Sequence, residues 1–231
     1  LQVPAGGFAM TGGGWLDVPL WLDTVRRQFQ DDGHWVDGAV DEQEIQVGEN
    51  CVGWRDITAR RVVFCTGLAA AQSPRFFPGL PFRPASGEVL EVTLAGGSPP
   101  VVWNSGGKWL APRRDGTCLC GATYGFGEWV GVPSTAGRVE LTRFLDGILR
   151  DGYTITGHRA GVRPILHQSR PVAGFLPDCP RVGLLNGLGS KGVLTAPWAA
   201  AALVAAIQTG ATPDRELDPA RLNRHPGVSR P

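Results

Sequence analysis

The chain has 231 residues, 33 of them glycine and 19 proline, and 42% of it is hydrophobic, eight tryptophans included. Gly and Pro exceed a fifth of the sequence, against ~12% in an average protein, but the apolar share can build a core, which excludes disorder as the main description. Lys and Arg number 22 against 21 Asp and Glu, a formal charge of +1, and with no basic stripe to match a phosphate backbone, charge gives no support for nucleic-acid binding.

The sequence opens on Leu1-Gln2-Val3-Pro4, without an initiator Met and without the pattern of a secretory signal. The expectation is a soluble cytoplasmic protein with an upstream segment missing. Five cysteines, an odd number in a chain of this length, point to reduced thiols. Cys118-Leu119-Cys120 lacks a second Cys or His pair at zinc spacing, so no metal is expected; strand alternation puts both thiols on one face.

In chain order, the triple glycine Gly12-Gly13-Gly14 precedes a helix predicted over Trp15 to Gln30, with Asp17 placed to cap it and Pro19 tolerated in its first turn. Ile45 to Val52 reads as a strand. Thr58 to Cys65 reads as another, apolar on both faces and therefore buried and parallel, halted by Thr66-Gly67. A proline-rich crossover, Pro74 to Pro84, changes the style. Glu88 to Leu94, Val101 to Trp103, Lys108 to Ala111 and Cys118 to Tyr124 follow as an antiparallel meander, separated by Gly106-Gly107 and Asp115-Gly116. Leu141 to Leu149 gives an amphipathic helix and Tyr153 to Ala160 a strand. Arg181 to Asn186 is a buried strand, Gly187 to Gly192 a glycine loop, and Val193 to Thr209 a helix closed by Gly210. The apolar stretch Val193 to Ile207, interrupted by Pro197, falls short of the ~20 residues that span a bilayer, so no membrane partner is expected. Buried strand, loop and helix at both ends with strands between them imply an α/β part split in sequence and an antiparallel insertion.

Gly187-Leu188-Gly189-Ser190-Lys191-Gly192 matches G-x-G-x-x-G in form and sits between a strand and a helix. A dinucleotide fingerprint needs a second parallel strand ending in an acid ~20 residues on; here the helix runs into the polar turn Thr209 to Asp214, and the ADP-binding reading is rejected. The loop is neither a Walker loop nor a nucleophile elbow. Two readings stay open: a tight strand-to-helix turn with no ligand, or a backbone surface for an anion, or for a ring that becomes anionic, at the helix N-terminus.

Six pieces stand in a set order along the chain: Gly12-Gly13-Gly14-Trp15-Leu16-Asp17; Arg61 to Gly67; Gly87-Glu88-Val89-Leu90; Trp109 to Pro112 with Gly121 to Tyr124; Gly161-Val162-Arg163-Pro164 with Arg170 to Gly174; and Asn186 to Gly192 with Ala196-Pro197. In that order they resemble the D-amino-acid-oxidase-like FAD oxidoreductases, a family that includes glycine oxidase and sarcosine oxidase, over Gly12 to Leu222. The resemblance implies an α/β (α+β) fold: an incomplete, Rossmann-like FAD-binding layer at 1–84 and 159–231, and an antiparallel substrate domain at 85–158. It implies FAD as cofactor, approached by Thr66 and Gly67 and wrapped by Gly187, Leu188, Gly189, Ser190, Lys191, Gly192 and Val193. It further implies Arg163 as the grip on a substrate carboxylate, matched bidentately by a planar guanidinium, with Trp109 and Tyr124 lining the substrate side. Ser190 stands where glycine oxidase has a second carboxylate-binding arginine, which puts simple glycine oxidation in doubt. His34, His158, His167 and His225 match none of these motifs.

The implied activity is oxidation of a C–N bond of a small amine or amino acid. The family's true G-x-G-x-x-G, ahead of the first helix, is absent from this sequence. Three arrangements follow: a fragment of an ordinary oxidase, a separate chain supplying the nucleotide-binding half, or a cofactor-free binding or structural module.

Overall fold

A computed structural model describes residues 6–127, 129–210 and 214–224. The expectations for Leu1 to Pro4, for His225 and for the Ala211 to Pro213 part of the polar turn lie outside them. The Asp17 carboxylate accepts from the Leu20 N–H at 3.3 Å, and Pro19 sits in the first turn, so the first helix, α1 (Val18–Asp31), starts three residues later than predicted. None of its residues is buried, and Trp15, Leu16, Leu20, Trp21, Leu22 and Phe29 are exposed.

The strand predicted over Ile45 to Val52 is instead a hairpin of β1 (Gln46–Val47) and β2 (Val52–Trp54), because Gly48-Glu49-Asn50 turns the chain and Gly48 N–H donates to the Cys51 carbonyl at 2.9 Å. The strand predicted over Thr58 to Cys65 is also two. β3 (Ile57–Ala59) pairs antiparallel with β2, while β4 (Val62–Phe64) joins a different sheet. The break at Arg60-Arg61 has a cause far along the chain. The Arg60 carbonyl accepts from the Arg181 guanidinium, and Arg61 donates to the Ile207 carbonyl and lies over the Phe175 ring.

Next come β5 (Ala85–Leu94), β6 (Trp103–Ser105), β7 (Lys108–Pro112), β8 (Cys118–Gly121), β9 (Gly125–Phe126), α2 (Thr135–Ile148) and β10 (Tyr153–Arg163). They form a six-stranded sheet ordered β10-β5-β8-β7-β6, with β9 paired to β5. The expected meander is corrected: β5 lies beside β8 rather than β6, so the first of the four strands packs against the last. Alternation along β5 sends Glu88, Leu90 and Val92 to one face, where they meet Leu110, Cys118, Cys120 and, from α2, Leu141 and Leu145. Each fully buried leucine there contributes about 1.5–3 kcal/mol. Both thiols do share a face, that of the core.

The last elements are β11 (Val172–Leu176), β12 (Cys179–Asn186) and α3 (Gly192–Thr209), closed by Gly210 in the left-handed region as the sequence predicts. β12 pairs antiparallel with β11 and parallel with β4, giving the order β11-β12-β4. The parallel pairing of β4 follows expectation, but its three residues are half-buried, because β4 is the sheet's edge. One face of this sheet packs Leu166, Val172, Val182 and Leu184 with Phe77. The other packs Ala173 against Ala199, Leu203 and Leu217. The stretch Gly189–Thr209 is 21 residues long with mean hydropathy 1.4, enough by length and composition to cross a membrane, which corrects the expected shortfall. In this fold it sends Ala199, Leu203 and Ala206 into the core.

The chain falls into two compact units, one of the segment up to Asp37 with Ser86–Val162, the other of Gly38–Ala85 with the chain from Arg163 onward.

Candidate functional site

Within the second unit, three segments distant in sequence meet. Thr66-Gly67 follows β4 by one residue, and Gly67 has φ +57° with nothing within 4 Å of where a Cβ would lie. Its carbonyl accepts from the Asn186 side-chain amide at 2.8 Å. Asn186 closes β12, and its Oδ1 accepts from the Gly187 N–H at 2.7 Å. Gly187 has φ +74°, and a Cβ there would lie 2.5 Å from Leu166 Cδ1, so backbone conformation and packing both demand glycine. The third segment is Arg163-Pro164-Ile165: the Gly189 N–H donates to the Pro164 carbonyl at 3.2 Å.

The predicted glycine loop thus contains a short 3-10 turn, Gly189–Lys191, and feeds straight into α3. No side chain caps α3, whose N-terminus carries roughly half a positive charge, and Lys191 adds its ammonium at the capping position. Ser190, Lys191 and Val193 are exposed, Gly187 is buried, and Leu188, Gly189 and Gly192 are half-buried. The Arg170-Pro171 backbone behind Gly187 is held by Arg221, which donates to both carbonyls at 3.0 and 2.8 Å. Burial pulls the Arg221 guanidinium below its ordinary pKa.

The structure therefore brings Thr66, Gly67, the Arg163-Pro164 backbone and Gly187 to Val193 into one hydrogen-bonded neighbourhood. Arg163 is half-buried at the end of β10, which runs three residues further than predicted. Trp109 and Tyr124 belong to the other unit. Trp109 lies on the sheet face opposite Leu110 and α2, its ring over Gly121 and beside Val89, and is not part of that core. Tyr124 is 51% exposed, its ring centroid 5.7 Å from that of Phe126. The strand predicted to reach Tyr124 stops at Gly121. In the sequence Asn186 reads only as the end of a strand and the start of the glycine motif; an amide ending an otherwise apolar strand is the signal that marks it.

A family model described as DAO, FAD dependent oxidoreductase, matches residues 2–206. The tRNA 5-methylaminomethyl-2-thiouridine biosynthesis bifunctional protein of Marinobacter nauticus is 30% identical over 190 residues, covering 76% of this chain and 28% of that protein. Glycine oxidase of Pseudomonas putida is 30% identical over 148 residues, covering 61% of this chain and 38% of the oxidase. Among solved structures, glycine oxidase from Geobacillus kaustophilus gives a TM-score of 0.62 at 21% identity, over 80% of this chain and 52% of that one. Iminodiacetate oxidase from Chelativorans sp. BNC1 gives 0.60 at 23% identity, over 76% and 52%. At these identities the structures establish the fold. The chain spans about half the length of these structures and well under half of the curated relatives.

Proposed function

The chain belongs to the DAO family of FAD-dependent oxidoreductases, and from that premise we propose that it carries the flavin-side and substrate-side parts of a cytoplasmic enzyme that oxidises a C–N bond of an amino acid or secondary amine. The observation that carries this is the network joining Gly67, Pro164 and Gly187 to Gly189 beside the N-terminus of α3. Side-chain-free backbone at Gly67 and along the loop fits a flat group lying against the main chain, and the helix end with Lys191 fits one that gains negative charge. Bound FAD would supply the two-electron acceptor. Thr66, Gly67, Gly187, Leu188, Gly189, Ser190, Lys191, Gly192 and Val193 would hold its ring end.

Residues 85–158 are assigned to the substrate side, and 1–84 with 159–231 to the flavin side. Arg163 anchors the substrate carboxylate, and Trp109 and Tyr124 line its path. Glycine and iminodiacetate, named for two of the relatives, are both amines bearing carboxylates, which supports an arginine anchor. Replacing Arg163 by Leu should raise KM for an amino-acid substrate by at least about tenfold, or ~1.4 kcal/mol, with a smaller effect on kcat. An unchanged KM would overturn the anchoring role.

A second reading rests on a separate observation. Among the described residues the outer edge of β4 has no strand partner in a partly parallel sheet, and Val193, Leu194, Trp198, Val204 and Ile207 of α3 are exposed. An edge strand offers unpaired N–H and C=O groups to another strand, which favours a nucleotide-binding half supplied outside these residues; a module that works without cofactor is the alternative. A flavin absorption band in the purified chain separates the oxidase reading from the cofactor-free one.

A further inference from the structure

The parallel ladder between β4 and β12 stops at the pair Phe64 and Leu184. Two residues further along both strands Thr66 would stand against Asn186, where β4 and β12 no longer pair. The gap is closed by a side chain: Asn186, 2% exposed, donates from Nδ2 to the Gly67 carbonyl and accepts at Oδ1 from the Gly187 N–H. A primary amide carries the same donor and acceptor as a peptide group. Asn186 therefore adds a side-chain rung where the backbone of both strands leaves the extended conformation. One partner, Gly67, lies 119 residues from Asn186 and the other is its chain neighbour, and both are glycines in the left-handed region. Such backbone has no ladder partner of its own, and a buried polar group left without one is destabilising.

We infer that Asn186 is the positioning residue of the cofactor site, its side-chain amide fixing the Thr66-Gly67 segment relative to the Gly187 to Val193 loop. This rests on the proposed FAD site, and the test separates the two. Asn186→Leu keeps the volume and removes both hydrogen bonds. Asn186→Asp keeps the acceptor for Gly187 and loses the donor to Gly67. Asn186→Ser, smaller and still polar, cannot span both partners and covers the case in which a bulkier change fails to fold.

Amide hydrogen exchange at Gly187, read by NMR on the full chain without cofactor, should rise at least tenfold in the Leu and Ser variants and stay near wild type in the Asp variant. FAD affinity, read by quenching of flavin fluorescence, should fall at least tenfold in all three. Unchanged Gly187 exchange in the Leu and Ser variants overturns the inference. So does faster exchange with FAD affinity within twofold of wild type, which would make Asn186 a purely structural tie. If the wild-type chain binds no FAD, the proposed site fails for this chain alone, and the exchange measurement still decides whether Asn186 fixes the loop.

Discussion

Glu88 Oε2 stands 2.7 Å from His158 Nε2, joining β5 to β10 inside the first unit, with both side chains almost wholly buried. His158 Nε2 stands within ion-pair distance of the carboxylate without a well-aimed hydrogen bond. The other carboxylate contacts are directed hydrogen bonds: the Ser134 hydroxyl donates at 2.7 Å and the Ser134 N–H at 2.9 Å. Ser134 in turn caps α2 by accepting from the Gly137 N–H. One buried carboxylate thus fixes two strands and a helix start.

Burial alone would push the Glu88 carboxyl up, but the two Ser134 donors and His158 outweigh it and hold it below the ordinary 4.5. Between its lowered folded value and 4.5 the unfolded chain binds the proton and the folded one does not, so stability falls as the pH falls through that window. Glu88→Gln should cost about 1.5–3 kcal/mol at neutral pH, the ordinary worth of hydrogen bonds to a charged group, here those from Ser134. In urea unfolding, the gap between wild type and variant should shrink steadily below pH 4.5. Equal gaps at pH 7 and pH 3 would show that the charge contributes nothing.

Two glycines of α2 should respond with opposite signs to the same substitution. A Cβ on Gly137 would overlap the Glu88 carboxylate, which Ser134 and His158 hold in place. Gly147, in the same helix, has open space around it. Gly147→Ala should gain about 0.5–1 kcal/mol, the ordinary preference of a helix for alanine. Gly137→Ala should lose about 1–3 kcal/mol through overpacking. Urea midpoints moving in the same direction for both would refute the crowding at Gly137.

These contacts also show what the sequence could carry. The capped ends of α1 and α3, the alternation of β5 and the strand-loop-helix at Asn186 to Thr209 are local patterns, and each was legible. The break at Arg60-Arg61 was not, because Arg181 and Ile207, which hold it, lie more than 120 residues away. The order of the six-stranded sheet escaped for the same reason: turn signals show that two strands reverse direction but not which strand a third will join. At the candidate site the glycines were readable one by one. The residue tying them together has partners on both sides of a long insertion, and only the folded chain reveals it.

The thiols offer a chemical check on the first unit's core. Cys118 and Cys120 are fully buried, and burial pushes both thiols up, Cys120 to about 12. The thiolate is the reactive form, and at pH 8 only about one Cys120 in ten thousand would carry it. An aromatic disulfide reagent should therefore modify exposed Cys51 within minutes and leave Cys118 and Cys120 untouched until denaturant is added. Replacing both by Ser isolates their signal from those of the other cysteines. Prompt modification of either in the folded chain would contradict the packing of β8 against α2.

Trp109 depends on a missing side chain. A Cβ on Gly121 would lie 2.7 Å from Trp109 Cζ2 and 2.7 Å from Val89 Cγ1, so the indole rests directly on the β8 backbone. Gly121→Ala must turn the ring out of that seat, at a cost of about 1–3 kcal/mol. The displaced indole should then meet more water, and its emission should shift to longer wavelength. If Trp109 lines the substrate path, the same variant should also raise KM severalfold. Trp109→Phe in the Gly121→Ala background should recover part of the stability, because the smaller ring clears the new methyl group. A red shift without any change in KM would confine Trp109 to packing on the sheet face opposite α2.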